Sequence, residues 1–146
     1  MIKAALGKLP DRFPPYDLGG ANHMKVKGLV WLGTRTDQFE PMLAFCRNLM
    51  GLTPVFVEPG FAALDMPNGD RFEIFGGDSS YNTFLTHPVA SFLVDDIVAA
   101  RAKMEAYGIK FIEPTHTEED GNAWCYFRAP DGFLYSLTHV PEQPAD

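Results

Sequence analysis

The sequence predicts an α+β fold made of two tandem copies of one βαβββ unit. Three observations carry this. A helix-like stretch that stops at a glycine occurs twice, at Gly51 and Gly108. A Pro-x-Gly turn closes each half, as Pro67-Asn68-Gly69 and Pro130-Asp131-Gly132. Between these signals, short runs alternate apolar and polar residues with the period of a strand.

Taken in order, residues 1–24 hold Pro10, Pro14, Pro15, Gly19 and Gly20 without helical or strand periodicity, and read as an extended arm. The first unit opens with the strand VKGLVWLGTR and continues as an amphipathic helix over Phe39–Met50, with the stripe Phe39, Leu43, Cys46 and Met50. Gly51 supplies the positive φ that ends a helix. The strands TPVFVE, FAALDM and DRFEIFG follow, the last two joined by the Pro67-Asn68-Gly69 turn. The second unit repeats the plan: strand PVASFLV, a helix over Ile97–Tyr107 striped by Ile97, Ala100, Met104 and Tyr107, then KFIEP, AWCYFRA and FLYSLTH. Helix starts lie 58 residues apart, helix stops 57 and hairpins 63. Agreement at this many points marks an internal repeat. The expected division is an arm at 1–24, one domain at 25–140 with modules 25–78 and 87–140, and a tail at 141–146.

Composition bounds the function. With 146 residues, 46% of them hydrophobic and 21% charged, the chain suits one globular domain. No apolar run reaches the roughly 20 residues of a membrane helix, and the N-terminus lacks a secretory signal's apolar stretch. The net charge of −7 repels nucleic acid. Cys46 and Cys125 show no CxxC spacing and read as two separate buried thiols, which suits a reducing cytoplasm.

Strand parity splits each unit into two faces. One set is nearly all apolar and belongs under the helices: Val30, Leu32 and Thr34; Phe72 and Ile74; Ala90, Phe92 and Val94; Phe133, Tyr135 and Leu137. The opposite set mixes aromatic and polar groups, with Trp31, Arg35, Glu73, Phe75, Ser91, Ser136 and Thr138. Such a face suits a ligand cleft, and Trp31, Arg35, Glu73, Phe75, Ser91 and Ser136 are its candidate ligand-binding residues.

Three segments carry a family resemblance. FEPMLAFCRNLMGL, Val94-Asp95-Asp96-Ile97 and PDGFLYSL, with PNGDRFEIFG as the counterpart of the last, resemble the glyoxalase/bleomycin-resistance/dioxygenase family, the vicinal oxygen chelate superfamily. The resemblance implies curved mixed sheets forming a cleft, helices on the convex side, and a homodimer. It also implies a divalent metal on four equivalent strand positions, commonly His, Glu/Gln, His and Glu. Projected here, those positions read Trp31, Glu73, Val89 and Ser136, so no cofactor is expected. His87 is the alternative ligand to stand beside Glu73, because it lies two residues before Val89 on the same face, roughly 6.6 Å along the strand. His139 falls on the apolar parity, His116 lies in the polar loop Thr115–Asn122, and His23 belongs to the arm.

Two functions follow. The first is a metal-independent small-molecule binding protein, resembling the drug-sequestering branch of the family, taking an aromatic or cationic compound against Trp31, Phe75 and Glu73. The second is a glyoxalase-like lyase or extradiol-dioxygenase-like enzyme with an altered metal site using Glu73 and His87. Glu73 is also the one candidate for metal-free proton transfer, because burial beside aromatic rings raises a carboxyl pKa.

Overall fold

In the computed structural model, residues 24–142 are described, so the arm expected at 1–24 and His23 lie outside the described residues except for Met24. Chain order is β1 (Val26–Thr36), α1 (Phe39–Ala44) running into a π-turn (Phe45–Leu49), β2 (Thr53–Glu58), β3 (Phe61–Asp65), β4 (Arg71–Gly76), β5 (Val89–Val94), α2 (Ile97–Tyr107), β6 (Lys110–Phe111), β7 (His116–Thr117), β8 (Ala123–Arg128) and β9 (Leu134–His139). Both units therefore run β-α-β-β-β, with β7 an addition in the second.

The strands form one mixed sheet in the order β2-β3-β4-β1-β5-β9-β8-β6, with β7 also on β8. Within each unit the first strand runs parallel to the last, β1 with β4 and β5 with β9. The units join antiparallel through their first strands, β1 and β5. This places the sequence repeat as a pseudo-two-fold in the middle of the sheet.

Each helix covers the outer strands of its own unit. Phe39, Leu43 and Cys46 bury against Ala62, Leu64, Phe72 and Ile74. Ile97 and Ala100 bury against Ala123, Cys125, Phe127 and Leu137. Both helices stop where expected, at Gly51 (φ 69°) and Gly108 (φ 102°), a backbone conformation that costs side-chain-bearing residues energy. Asp96 caps α2 by accepting from the Ala99 amide at 2.9 Å. Both cysteines are free and buried.

Five expectations need correction, the first being Tyr107 of the α2 stripe, which lies in the last turn of the helix and is 45% exposed. Met50 is 53% exposed rather than buried. The π-turn explains it: the Met50 amide bonds the Phe45 carbonyl, five residues back, and this wider winding rotates the stripe away from the sheet. Leu32 is 41% exposed, because α1 and α2 cover the outer strands and leave the β1–β5 midline open. A register shift between Leu29 and Trp31 also sets Leu29, not Val30, opposite Phe92. Phe133 precedes β9, is 55% exposed and packs edge-on to His87. Finally, the stretch Thr115–Asn122 is not wholly loop, because His116 and Thr117 pair with Trp124 and Ala123 across a hairpin.

Candidate functional site

The side of the sheet away from the helices is built from two adjacent rows. Register aligns Ala63, Glu73, Gly33 and Val89 across β3, β4, β1 and β5. The next row aligns Trp31, Ser91, Ser136 and Tyr126 across β1, β5, β9 and β8. The repeat maps one row onto the other, pairing Trp31 with Val89, Gly33 with Ser91, Glu73 with Ser136 and Ala63 with Tyr126. The four projected positions thus do converge at the centre of the sheet.

That centre is filled by an indole. The Trp31 ring lies over Gly33 so closely that a methyl group there would overlap its Cη2 and Cζ2 atoms. Glu73 sits between Gly33 and Ala63, neighbours with almost no side chain. Burial holds the Glu73 pKa above the ordinary carboxylate range, while the Trp31 indole N–H and the Arg71 charge pull it down. Arg71 spends its own bond on Asp65, at 2.9 Å. Glu73 is therefore a carboxyl facing an indole, without the arginine pairing that would pin it as an anion.

A strap crosses this face. Arg35 donates to the carbonyls of Gly77 (2.6 Å), Ser79 (2.9 Å) and Tyr81 (3.0 Å), fixing the start of the connection between the two units. Further along that connection, Phe84 and Leu85 pack with Phe75, Val89, Tyr126 and Leu134, and with Trp31 and Trp124 beside them. Phe84 meets Tyr126 edge-on with ring centres 4.8 Å apart, and Trp31 does so at 6.4 Å. The Tyr126 hydroxyl reaches Asn82 of the strap at 3.5 Å. Its pKa is raised, first by burial and then by the negative charges of Glu73 and Glu113.

Beyond the strap a depression of about 560 Å³ stays open, lined among others by Tyr81, Asn82, Phe84, Glu113, His116 and Trp124. Its size is that of a small-molecule site. One wall is the strap held by Arg35. The other is the 113–116 segment, held by Arg101 of α2, which donates to the Glu113 carbonyl at 2.9 Å and the Thr115 hydroxyl at 3.3 Å. Tyr126 stands between this depression and the Trp31–Glu73 pair.

The sequence profile of the Glyoxalase/Bleomycin resistance protein/Dioxygenase superfamily matches residues 28–137, spanning both units. The chain belongs to this superfamily. No curated protein matches the sequence. Among solved structures, the chain is similar to methylmalonyl-CoA epimerase from Mycobacterium tuberculosis, at 18% identity and TM-score 0.61, covering 84% of this chain and 96% of that one. It is similar to the Mn(II)-bound glyoxalase from Novosphingobium aromaticivorans at 19% identity and TM-score 0.63, covering 80% of this chain and 40% of that one. A superfamily member from Vibrio splendidus 12B01 gives 14% identity and TM-score 0.58, covering 81% of this chain and all (100%) of that one. At such identities the likeness carries the fold, and the chemistry rests on the residues present.

For the superfamily's metal those residues do not fit. A catalytic divalent ion needs about three protein ligands and an open position. The Trp31 indole nitrogen is a donor only, and Val89 offers nothing. The Ser136 hydroxyl is buried and donates to the Leu137 carbonyl at 3.2 Å, leaving Glu73 alone. His87 places Nδ1 3.1 Å from the Thr86 hydroxyl, while its Nε2 is buried without a partner. No group of three His, Cys, Asp or Glu comes together among the described residues.

Of the projected ligand-binding residues, Trp31 and Glu73 meet at the site. Arg35 is spent on the strap, and Phe75 is core at 2% exposure. Ser91 is fully buried and shares a 2.6 Å hydrogen bond with Thr138. His139 lies 3.3 Å from the Val94 carbonyl, a structural role. Tyr126, Phe84, Asn82, Glu113 and Trp124 were not singled out from sequence. Strand parity in AWCYFRA puts Trp124 and Tyr126 on one face, a signal that was there to read. His116, read from sequence as a solvated loop residue, is exposed and also lies against the Trp124 ring, centres 4.2 Å apart.

Proposed function

We propose that the chain is a metal-independent small-molecule binding protein of the glyoxalase/bleomycin-resistance type, taking an aromatic or cationic compound in the cleft. The observation that carries this reading is the Trp31 indole lying across Gly33, at a position where the superfamily commonly places a metal ligand. An indole there removes a donor and adds a flat, polarisable surface beside a buried carboxyl. The open depression next to it, rimmed by rings and hydroxyls, supports the same reading. The superfamily's habit of pairing copies supports a homodimer, which light scattering of the purified chain tests directly.

The experiment is a thermal-shift panel running from naphthalene-2-sulfonate and quinoline to N-methylquinolinium and tetramethylammonium, with and without chelator. A compound present at 100 times its Kd stabilises the folded state by about 2.7 kcal/mol. The proposal expects such a shift for at least one aromatic or cationic member, equal in chelator. Stabilisation by none of them, or only with added Mn2+ or Zn2+, overturns it.

A further inference from the structure

We infer that the depression beside the strap selects a compound that is both flat and positively charged, with Trp124 and Tyr81 as its aromatic walls and Glu113 as its counter-charge. The inference rests on the binding role proposed above and goes beyond it by requiring both properties in one ligand and by moving the counter-charge from Glu73 to Glu113.

The first argument is about where the cations of the chain are spent. The lining contains Glu113 and no lysine or arginine. The two nearest guanidinium groups build the walls instead of facing the space. Arg35 is bonded to three strap carbonyls. Arg101 is bonded to the Glu105 carboxylate at 2.7 Å, to the Glu113 carbonyl and to Thr115, and sits 4.4 Å from the centre of the Phe111 ring. Arg101 thus grips the backbone of Glu113 and leaves the carboxylate to a ligand.

The second argument is the field. Glu73 and Glu113 both act on the buried Tyr126 hydroxyl and disfavour its ionisation, so the wall between the two carboxyls carries negative potential. The whole chain adds to it, with a formal charge of −7. An anionic or neutral ligand gains nothing from this field, whereas a cation gains throughout its approach.

The third argument is shape. Trp124 and His116 both line the depression and stack on each other, with ring centres 4.2 Å apart and 30° between the rings, which adds flat aromatic surface to its wall. Tyr81, 58% exposed and edge-on to Phe61, and the partly buried Phe84 line the same depression and add aromatic surface to it. Aromatic faces attract cations and stack flat rings alike, so a planar cation uses both properties at once.

The test compares a matched pair on the intact chain at pH 8: N-methylquinolinium, a flat permanent monocation, and quinoline, its neutral counterpart. Calorimetric titration is expected to show the cation binding about tenfold tighter or better, an advantage that shrinks with added salt. Glu113→Gln is expected to erase that advantage while leaving quinoline unchanged, and Trp124→Leu to weaken both. Equal binding of the pair to the unmodified chain overturns the inference, whatever the variants do, and so does a Glu113→Gln protein that is folded and keeps the preference. If neutral aromatics stabilise the chain as well as cations, the inference fails and the binding role stands. If no compound binds, both fail.

Discussion

Replacing Gly33 by alanine puts a methyl group where the Trp31 ring lies, against its Cη2 and Cζ2 atoms. The backbone at Gly33 has no positive φ, so the substitution brings no conformational strain of its own. Gly33 is buried in the middle of β1, with paired strands on both sides, so the backbone cannot yield cheaply. The indole must move instead, and overpacking of this kind costs about 1–3 kcal/mol. With Trp31 already cut to alanine those overlaps are gone, and the same change is expected to stabilise by about 0.4–1 kcal/mol through the unfolded chain. The difference between these two effects is a coupling of about 1.5–4 kcal/mol. A double-mutant cycle in urea measures it. Far-UV circular dichroism follows unfolding in all four proteins of the cycle, because two of them lack Trp31. If Gly33→Ala costs the same with and without Trp31, the indole does not lie across Gly33 and the picture of the cleft centre is wrong.

Arg35→Ala removes three bonds to strap carbonyls and is expected to cost about 1.5–3 kcal/mol, since solvent re-satisfies part of the loss. Amide exchange at Leu85, whose N–H bonds Asn82, is expected to speed up with it, and unchanged protection refutes the strap's anchoring. Glu73→Gln keeps an acceptor for the Trp31 N–H and removes a titration. Because burial raises the folded pKa above the unfolded one, the unmodified chain loses stability as pH rises from the ordinary carboxylate value to the raised one. The stability difference in favour of Glu73→Gln is therefore expected to widen from pH 4 to pH 7, and a constant difference by denaturant titration contradicts it. Cys46 and Cys125 are both fully buried, so alkylation is expected only on unfolding, and rapid native labelling counts against the packing of both helices.

How much was legible in the sequence depended on whether a feature was local. Strand parity reached most of the two faces, because pleating sends Phe72 and Ile74 to α1 and Glu73 to the cleft whatever the neighbours do. The helix stops and hairpins were legible for a similar reason: Gly51, Gly108 and the two Pro-x-Gly turns act within a few residues. The π-turn at Phe45–Leu49 was not, because winding by one extra residue leaves no mark in composition. Nor was the strap. Nothing local to residues 77–88 says that Arg35, 42 to 46 residues away, holds its carbonyls, or that Phe84 and Leu85 turn onto the cleft. The projected metal positions met in space as the repeat required, since register between β1, β4, β5 and β9 follows from the fold. The role of Ser91, buried and hydrogen-bonded to Thr138 47 residues away, depended on a contact between distant strands and could only be read in three dimensions.

The central claim is binding without a metal, and one titration addresses it directly. N-methylquinolinium is titrated calorimetrically into the purified chain as isolated, after exhaustive chelation, and after Mn2+ is added back. The account predicts the same Kd in all three, with binding weakened in Trp124→Leu as the depression loses an aromatic wall. Binding that disappears on chelation and returns with Mn2+ would contradict it.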